Sequence, residues 1–464
     1  MRIHATHPLF AWGQLEDCPT LLTIRDFLQA VPDQTLLDGL QQARGHGRDD
    51  YPIPVLWGVV LLTILCRHPS FEACIAELHR NPSLCHLLDI HCEEDIPFGW
   101  NVSRFLDGLG EEPHLSHLRA VFDTLAQRLG RAVPDLGQHT AGDATHLSAH
   151  ARRGEQARAA EIDQGLPQPS GGRKEYKDED GKTTKVIEWF GYKLHLLVDT
   201  RHEVSLAYRI SAPSDGDNEH LPGLVEQAQQ NLPPQRMRTL AYDKAADDEK
   251  VHQALHDAGV KPVIHNRALW KEEPERQLPG GRYPLHLVHD EAGTVFCYDM
   301  VSDPPVRHGM ACIGYEQDRG ALKYRCPARH EGWDCPSDER CNGDKVYGLT
   351  ARIDCKLDLR RFPPIPRATK QFERLYKGRT AVERVNARLK IFWGADDGNV
   401  RGARRFHAFV GMVMVVHLGL ATMLASAPRW EGTLGCLRLS PIGKALRQEM
   451  ESAGTAEAEG RQCA

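Results

Sequence analysis

Twenty consecutive residues, "AFVGMVMVVHLGLATMLASA" from 408 to 427, contain no Asp, Glu, Lys or Arg. A run of this length either crosses a bilayer or must be shielded by the rest of the fold, since burying its apolar surface is what stabilises it. It stands alone, holds His417 and two glycines, and follows directly on a charged stretch. These features predict a buried core helix, with a membrane span as the alternative. The 464 residues are enough for two or three domains and a sizeable core.

Residues 1–135 read as a helical domain. "PVLWGVVLLTILC", "SFEACIAELHR", "SLCHLLDI", "VSRFLDGL" and "LSHLRAVFDTLAQRLG" are apolar-periodic runs separated by Pro, Asn and Gly, with Ser70, Ser103 and Ser116 as N-cap candidates. Such a domain suits a helix-turn-helix reader of DNA and equally a bundle with another role. The grammar then changes. "GYKLHLLVD" and "EVSLAYRIS" form a hairpin pattern, followed by the strand "RTLAYD", the helix "DDEKVHQALHDAG" and the strand "KPVIH". The polar, Gly-containing segment 151–185 reads as a mobile surface loop. Residues 268–362, with strands such as "TVFCYDM" and "ALKYRC" among many turn residues, read as a β-rich insertion. The stretch 363–428 resumes the helix-rich pattern, and 429–464 is expected to be a disordered tail.

The net charge of −6 excludes a chain that is basic throughout, so a nucleic-acid partner must be held by local patches. One lies between 351 and 390, where twelve Lys or Arg face four Asp or Glu. A solvated cationic face is the plainer reading of such a run. Thirteen cysteines without regular paired spacing, and no cleavable signal at "MRIHATHPLFAWGQ", predict a reducing cytoplasm.

Within the basic patch, "YKGRTAVERVNARLK" has a finer order. On a helix with about 100° per residue, counted from Tyr376, Arg379, Glu383 and Lys390 fall near 300°, 340° and 320°. Ala381, Val382, Val385, Leu389 and Phe392 fall on the far side, so one face is apolar and the other carries charge. Two further carboxylates stand in strand-like contexts, Asp143 in "AGDATHL" and Asp243 in "AYDKAADDEKVHQAL".

Together with Tyr376-x2-Arg379-x3-Glu383-x6-Lys390, these stretches resemble the bacterial insertion-sequence transposases of the DDE type, in the branch with a Tyr-Arg-Glu-Lys signature. The resemblance covers about 140–267 and 363–425. It implies an α/β fold: an RNase H-like mixed sheet flanked by helices, with an N-terminal helical domain (1–135) and a β-rich insertion (268–362) dividing the catalytic core into 136–267 and 363–428. It implies that Asp143, Asp243 and Glu383 converge as catalytic metal ligands. Asp143 would bridge two Mg²⁺ or Mn²⁺ ions, and Asp243 and Glu383 would hold one each. Oxygen ligands suit these hard cations, and paired ions can serve both sides of an in-line displacement at phosphorus. Tyr376, Arg379 and Lys390 would contact DNA phosphates, which position rather than read the duplex.

The implied activity is cut-and-paste transposition: binding terminal inverted repeats, cleaving, and joining freed 3′-hydroxyls to target DNA as a homodimer on DNA, with no membrane partner. A metal-dependent nuclease of the same fold and a transposase-derived DNA-binding regulator are the alternatives. Within the insertion, Cys326, Cys335, Cys341 and Cys355 are candidate zinc ligands. Their spacings of eight, five and thirteen residues lack a close pair, and buried reduced thiols are the plainer reading. Trp270 and Trp333 are candidates for core packing or for stacking on an unpaired base.

Overall fold

The computed structural model describes residues 19–45, 51–151, 154–178, 182–271, 274–280, 283–397, 399–426 and 433–434. The expected tail from 429 lies outside the described residues apart from 433 and 434.

Seven α-helices open the described chain: α1 (Pro19–Ala30), α2 (Gln34–Arg44), α3 (Ile53–Leu65), α4 (Phe71–Leu78), α5 (Pro82–Leu87), α6 (Gly99–Leu109) and α7 (His114–Ala132). Ser70 caps α4 by accepting from the Ala73 amide at 3.2 Å, as its position predicts. Ser103 and Ser116 instead lie inside α6 and α7. Asn101 takes over the capping of α6, its side chain accepting from the Phe98 amide at 3.1 Å. The Glu112 carboxylate accepts the Ser116 amide in the first turn of α7, where orphan N–H groups favour an acid.

The central sheet and its helices run β1 (His139–Ser148), α8 (Glu155–Asp163), β2 (Ser170–Lys177), β3 (Thr183–Asp199), β4 (Ser205–Ser211), α9 (Asp217–Asn231), β5 (Thr239–Tyr242), α10 (Glu249–Asp257) and β6 (Lys261–Ile264). Its spatial order is β2-β3-β1-β5-β6, with β4 also paired to β3. The β1–β3 and β3–β4 ladders are antiparallel, and β1–β5 and β5–β6 are parallel. This mixed order, with helices on its faces, is the RNase H-like fold. The parallel members β5 and β6 are four residues each and almost wholly buried, each opening on a polar residue and otherwise mostly apolar.

The segment 151–185 corrects the expectation of a loop. Residues 155–163 form α8, and Ser170–Lys177 pairs antiparallel with Thr183–Gly191 as a two-stranded ribbon continuing β3 beyond the sheet. Its charged composition hid an alternation that packs: Trp189 lies over Gly172, where an added Cβ would come within 2.3 Å of the indole.

The insertion is β-rich. β7 (Glu275–Gln277), β8 (Leu287–Asp290), β9 (Val295–Asp299) and β10 (Val306–Gly309) make one antiparallel sheet. β11 (Ala311–Glu316), β12 (Ala321–Arg325) and β13 (Thr350–Asp354) make another, and two five-residue helices, α11 (Pro327–Glu331) and α12 (Asp338–Asn342), lie between β12 and β13. A small core of its own, including Leu287, Val295, Leu322, Tyr324 and Ile353, holds the insertion.

Among the described residues the last helices are α13 (Lys370–Lys377), α14 (Thr380–Ile391) and α15 (Ala403–Ala425). α15 is the apolar run, and 78% of its 18-residue window is buried inside the fold, as a core helix requires. It packs on α1, α3, α6 and α7 on one side and on β4, α8 and α14 on the other. Gly411 and Gly419 admit Leu118 and Phe27 to distances that a Cβ would forbid. Burial pushes His417 down to about 3, so it stays neutral while its Nε2 accepts the Ser205 amide at 3.3 Å. Arg404 and Arg405, paired with Glu111 and Asp107, fix the start of the helix.

Candidate active site

Asp143 lies in the middle of β1, opposite Leu196 of β3. Asp243 follows the last residue of β5, and its Oδ1 accepts the Ala245 amide at 2.9 Å in the short turn 244–246. The parallel register pairs Ala141 with Ala241, so both carboxylates stand two residues beyond the same rung, on strands about 4.8 Å apart. Gly142 permits this. The Tyr242 ring lies across it, and a Cβ there would come within 2.6 Å of the ring.

Glu383 lies in the first turn of α14, whose apolar side, Ala381, Val382, Val385 and Leu389, is buried as the helical count predicts. The helix packs on β1 and β3, which carries Glu383 to the Asp143 side of the sheet. Arg379 joins the two: Nη2 donates to Glu383 Oε1 at 2.8 Å, and Nη1 lies 3.8 Å from Asp143 Oδ2. Burial pushes the Asp143 carboxyl up to about 6. The Ala144 amide and the Arg379 charge oppose that rise, and the neighbouring Asp243 adds to it. Arg379 thus links Asp143 and Glu383, while Asp243 stands level with Asp143 on the adjacent strand.

The other predicted contacts divide. The helix expected to run unbroken from 376 to 390 is two helices. Gly378, Arg379, Ala381 and Val382 each donate to the residue three back, a tighter winding than the four-back pattern behind the angular count. Tyr376, on the far side of that joint, stacks on Phe372 and meets His265 edge-on at 4.2 Å, with Arg379 6.0 Å from its ring. Lys390 lies seven residues beyond Glu383 and pairs with Asp396 at 3.5 Å. Burial lowers its ammonium pKa, and Asp396 opposes that shift. Asp396 also accepts the Ser148 amide at 2.5 Å, tying the end of β1 to the turn after α14. Arg379 and Lys390 therefore meet carboxylates here.

Sequence reasoning passed over Gly142, Lys174 and Trp189. Lys174, on the ribbon, is near enough for its charge to lower the Asp143 pKa, and Trp189 packs 5.2 Å from the His146 ring. The β-branched and aromatic run Val186, Ile187, Trp189 and Phe190 was the available strand signal. His195 is buried, its Nε2 bonded to Ser211 Oγ at 2.8 Å. Trp270 lies between the guanidinium groups of Arg276 and Arg361.

The zinc grouping predicted from sequence is corrected at one position. Cys355 donates its amide to Gly320 before β12, whereas the Cys326 amide bonds to Leu349 after β12. The five-residue strand holds them apart by roughly 15 Å or more at about 3.3 Å per residue. Close sequence order concealed that the two flank opposite ends of one strand.

Among the described residues no three His, Cys, Asp or Glu side chains already meet at metal-ligand spacing. The donor set of Asp143, Asp243 and Glu383 nevertheless fits a hard divalent cation: all oxygen, partly buried, and already drawing a cation, the Arg379 guanidinium, between two of its members. No curated protein matches the chain. The family described as Transposase DDE domain matches residues 135–418, well over half of the sequence and spanning β1, β5, the insertion and α14. The sheet order, the gathered acids and this match together make the chain a member of the DDE transposase family.

Proposed function

We propose that the protein is a cut-and-paste transposase that binds the terminal inverted repeats of an insertion sequence, cleaves the DNA there and joins the 3′-hydroxyl ends to target DNA. The observation that carries this reading is the level placement of Asp143 and Asp243 on adjacent parallel strands, with Glu383 brought to them through Arg379. Asp143, Asp243 and Glu383 would hold Mg²⁺ or Mn²⁺. When bound, the ions supply charge stabilisation at phosphorus and at the attacking and leaving oxygens.

The chain's own residues do the rest. Asp143 must be ionised to act, and the Arg379 charge favours that form. The Arg379 guanidinium would also reach a phosphate held at these acids, where its fork geometry suits two oxygens. Lys390, about 10 Å further along α14, exchanges Asp396 for a phosphate nearby. Tyr376 holds the joint on which Arg379 pivots. In cleavage, water attacks phosphorus, the P–O3′ bond breaks and a 3′-hydroxyl is released. In transfer that hydroxyl attacks a target phosphodiester and displaces its 3′-oxygen. The two ends of an element call for two such sites, so the working form is a homodimer on DNA. The N-terminal helices supply end recognition.

The test uses end duplexes and a target plasmid with Mg²⁺. Wild type is expected to give nicked ends and joined products, and Asp143→Ala, Asp243→Ala and Glu383→Ala to give neither while retaining gel-shift binding. Cleavage without joining would replace transposition by a nuclease. Binding with no cleavage by wild type would leave a regulator.

A further inference from the structure

Residues 326–349 lack the usual reason to stay folded. They contain only the two short helices α11 and α12, and none of residues 326–348 belongs to the insertion's core. Beyond buried Pro327 and Ala328, it is held by polar bonds, among them Ser337 Oγ to Asp299 at 2.6 Å and the Leu349 amide to Asn342, so a further cross-link would add to its hold. Three of its residues are cysteines, Cys326, Cys335 and Cys341, and they line one cavity with Cys297 and His286.

Cys297 comes from the middle of β9, between Leu287 of β8 and His308 of β10, so the regular sheet presents it to the irregular segment. Burial pushes the Cys297 thiol up to about 12, and Cys326, Cys335 and Cys341 add to that rise. Cys335 is in turn affected by Cys326, and Cys341 by both, so all six pairings among the four lie within electrostatic range. All four are free thiols. Two nitrogens already stand beside the sulfurs: the Asn342 side-chain amide donates to Cys326 Sγ at 3.5 Å, and His286 Nε2 lies 3.6 Å from Cys341 Sγ.

We infer that Cys297, Cys326, Cys335 and Cys341 bind one Zn²⁺ as a structural site that fastens residues 326–349 to the sheet carrying β9. Four thiols give up four protons and bind the ion as thiolates, with no change of oxidation state. The thiols do not yet meet at a point, so closure requires rotation about χ1 between staggered wells. His286 and Asn342 then donate to ligand sulfurs, the supporting role that outer partners play around bound metals. The set replaces the Cys355 of the sequence reading by a residue far earlier in the chain. It stands apart from Asp143, Asp243 and Glu383.

Metal content of the full chain, purified without chelator from zinc-supplemented cells, tests this. One zinc per chain is expected in wild type, in Cys355→Ser and in Asp143→Ala, with at least a tenfold loss in Cys297→Ser. Should Cys297→Ser fail to fold, the metal-stripped wild type titrated with Co²⁺ must show an intense near-ultraviolet sulfur-to-cobalt band. Zinc-free wild type, full zinc in a folded Cys297→Ser, no such band, or a disulfide mapped between any two of the four would each overturn the assignment.

Discussion

Asp143 and Asp243 stand level across a parallel strand pair, each two residues beyond the paired Ala141 and Ala241. Residues one hundred apart in sequence thus become neighbours by register alone. The Tyr242 ring, buried across Gly142, fills the space immediately behind them. Substituting Gly142→Ala therefore forces the ring or the strand to shift. A cost of about 1–3 kcal/mol is expected from overpacking, with at least a tenfold loss of cleavage. Denaturant melts and end-cleavage rates check both, and Tyr242→Leu in the same chain should recover part of each. Unaltered cleavage by Gly142→Ala would show that the ring does not set the spacing.

The raised Asp143 carboxyl makes a signed prediction. Its folded value, about 6, lies above the ordinary carboxylate value, so its contribution to stability is fully present below pH 4 and is lost as pH rises through 6. At about 1.4 kcal/mol per unit, that loss is of the order of 3 kcal/mol. Wild type minus Asp143→Asn, measured in chelator by chemical denaturation from pH 4 to 8, isolates it from other groups. Mg²⁺ should restore stability above pH 6. Cleavage should fall as pH drops below about 6, and Arg379→Ala should move that midpoint upward because a charge favouring the carboxylate is gone. A flat difference curve would place Asp143 in ordinary solvent.

Much of this arrangement could be read from residues in order. The strands β3, β4, β5 and β6, the helix α10, the buried side of α14 and the core role of the apolar run from 408 follow from local periodicity, whereas α9, between β4 and β5, went unread. What escaped depends on distant partners. The part of the ribbon within 170–185 looked like a loop because its side chains gain their packing only across the hairpin, as Gly172 does under Trp189. Cys355 looked like a companion of Cys341 because spacing along the chain does not show that a strand lies between Cys326 and Cys355. Cys297 was invisible for the converse reason. The joint at Gly378 eluded the angular count because a change from four-back to three-back bonding leaves no mark on residue type.

The Lys390–Asp396 pair sets up a test of DNA contact. Lys390→Ala should weaken binding to end duplexes and make its salt dependence shallower by about 0.9 in logarithmic slope, one phosphate contact's worth. Asp396→Asn leaves the Ser148 amide an oxygen to bond while freeing the ammonium. Tighter binding with an equal or steeper slope is expected for that variant. Gel shifts across a salt series measure both, and slopes unchanged in Lys390→Ala would mean that the lysine only serves the fold.

Asp247 supplies the last prediction, because it ties the insertion's return path to the strand end that carries Asp243. Its side chain is fully buried. Oδ2 accepts the Arg267 amide at 2.6 Å and Arg360 Nε at 2.9 Å, while Oδ1 accepts from His252 at 3.1 Å and Arg367 at 3.3 Å. Burial alone would raise this carboxyl, but the bonds from His252, Arg360 and the Arg267 amide, with the Arg367 charge, hold it well below the usual range. Its stabilisation is therefore present above the unfolded carboxylate pKa near 4 and is lost as pH falls below that. Asp247→Ala leaves the buried Arg367 without its carboxylate, a change that costs about 3–5 kcal/mol in comparable pairs. Because residues 358–367 lead into α13 and α14, the same change should displace Glu383 and reduce cleavage even at temperatures where the protein remains folded. Denaturant melts at pH 7 and at about pH 2.5 should show the gap between wild type and Asp247→Ala narrowing at the lower pH. A gap under about 1 kcal/mol at pH 7, with cleavage intact, would mean that the insertion is held by other contacts and that the site does not depend on this anchor.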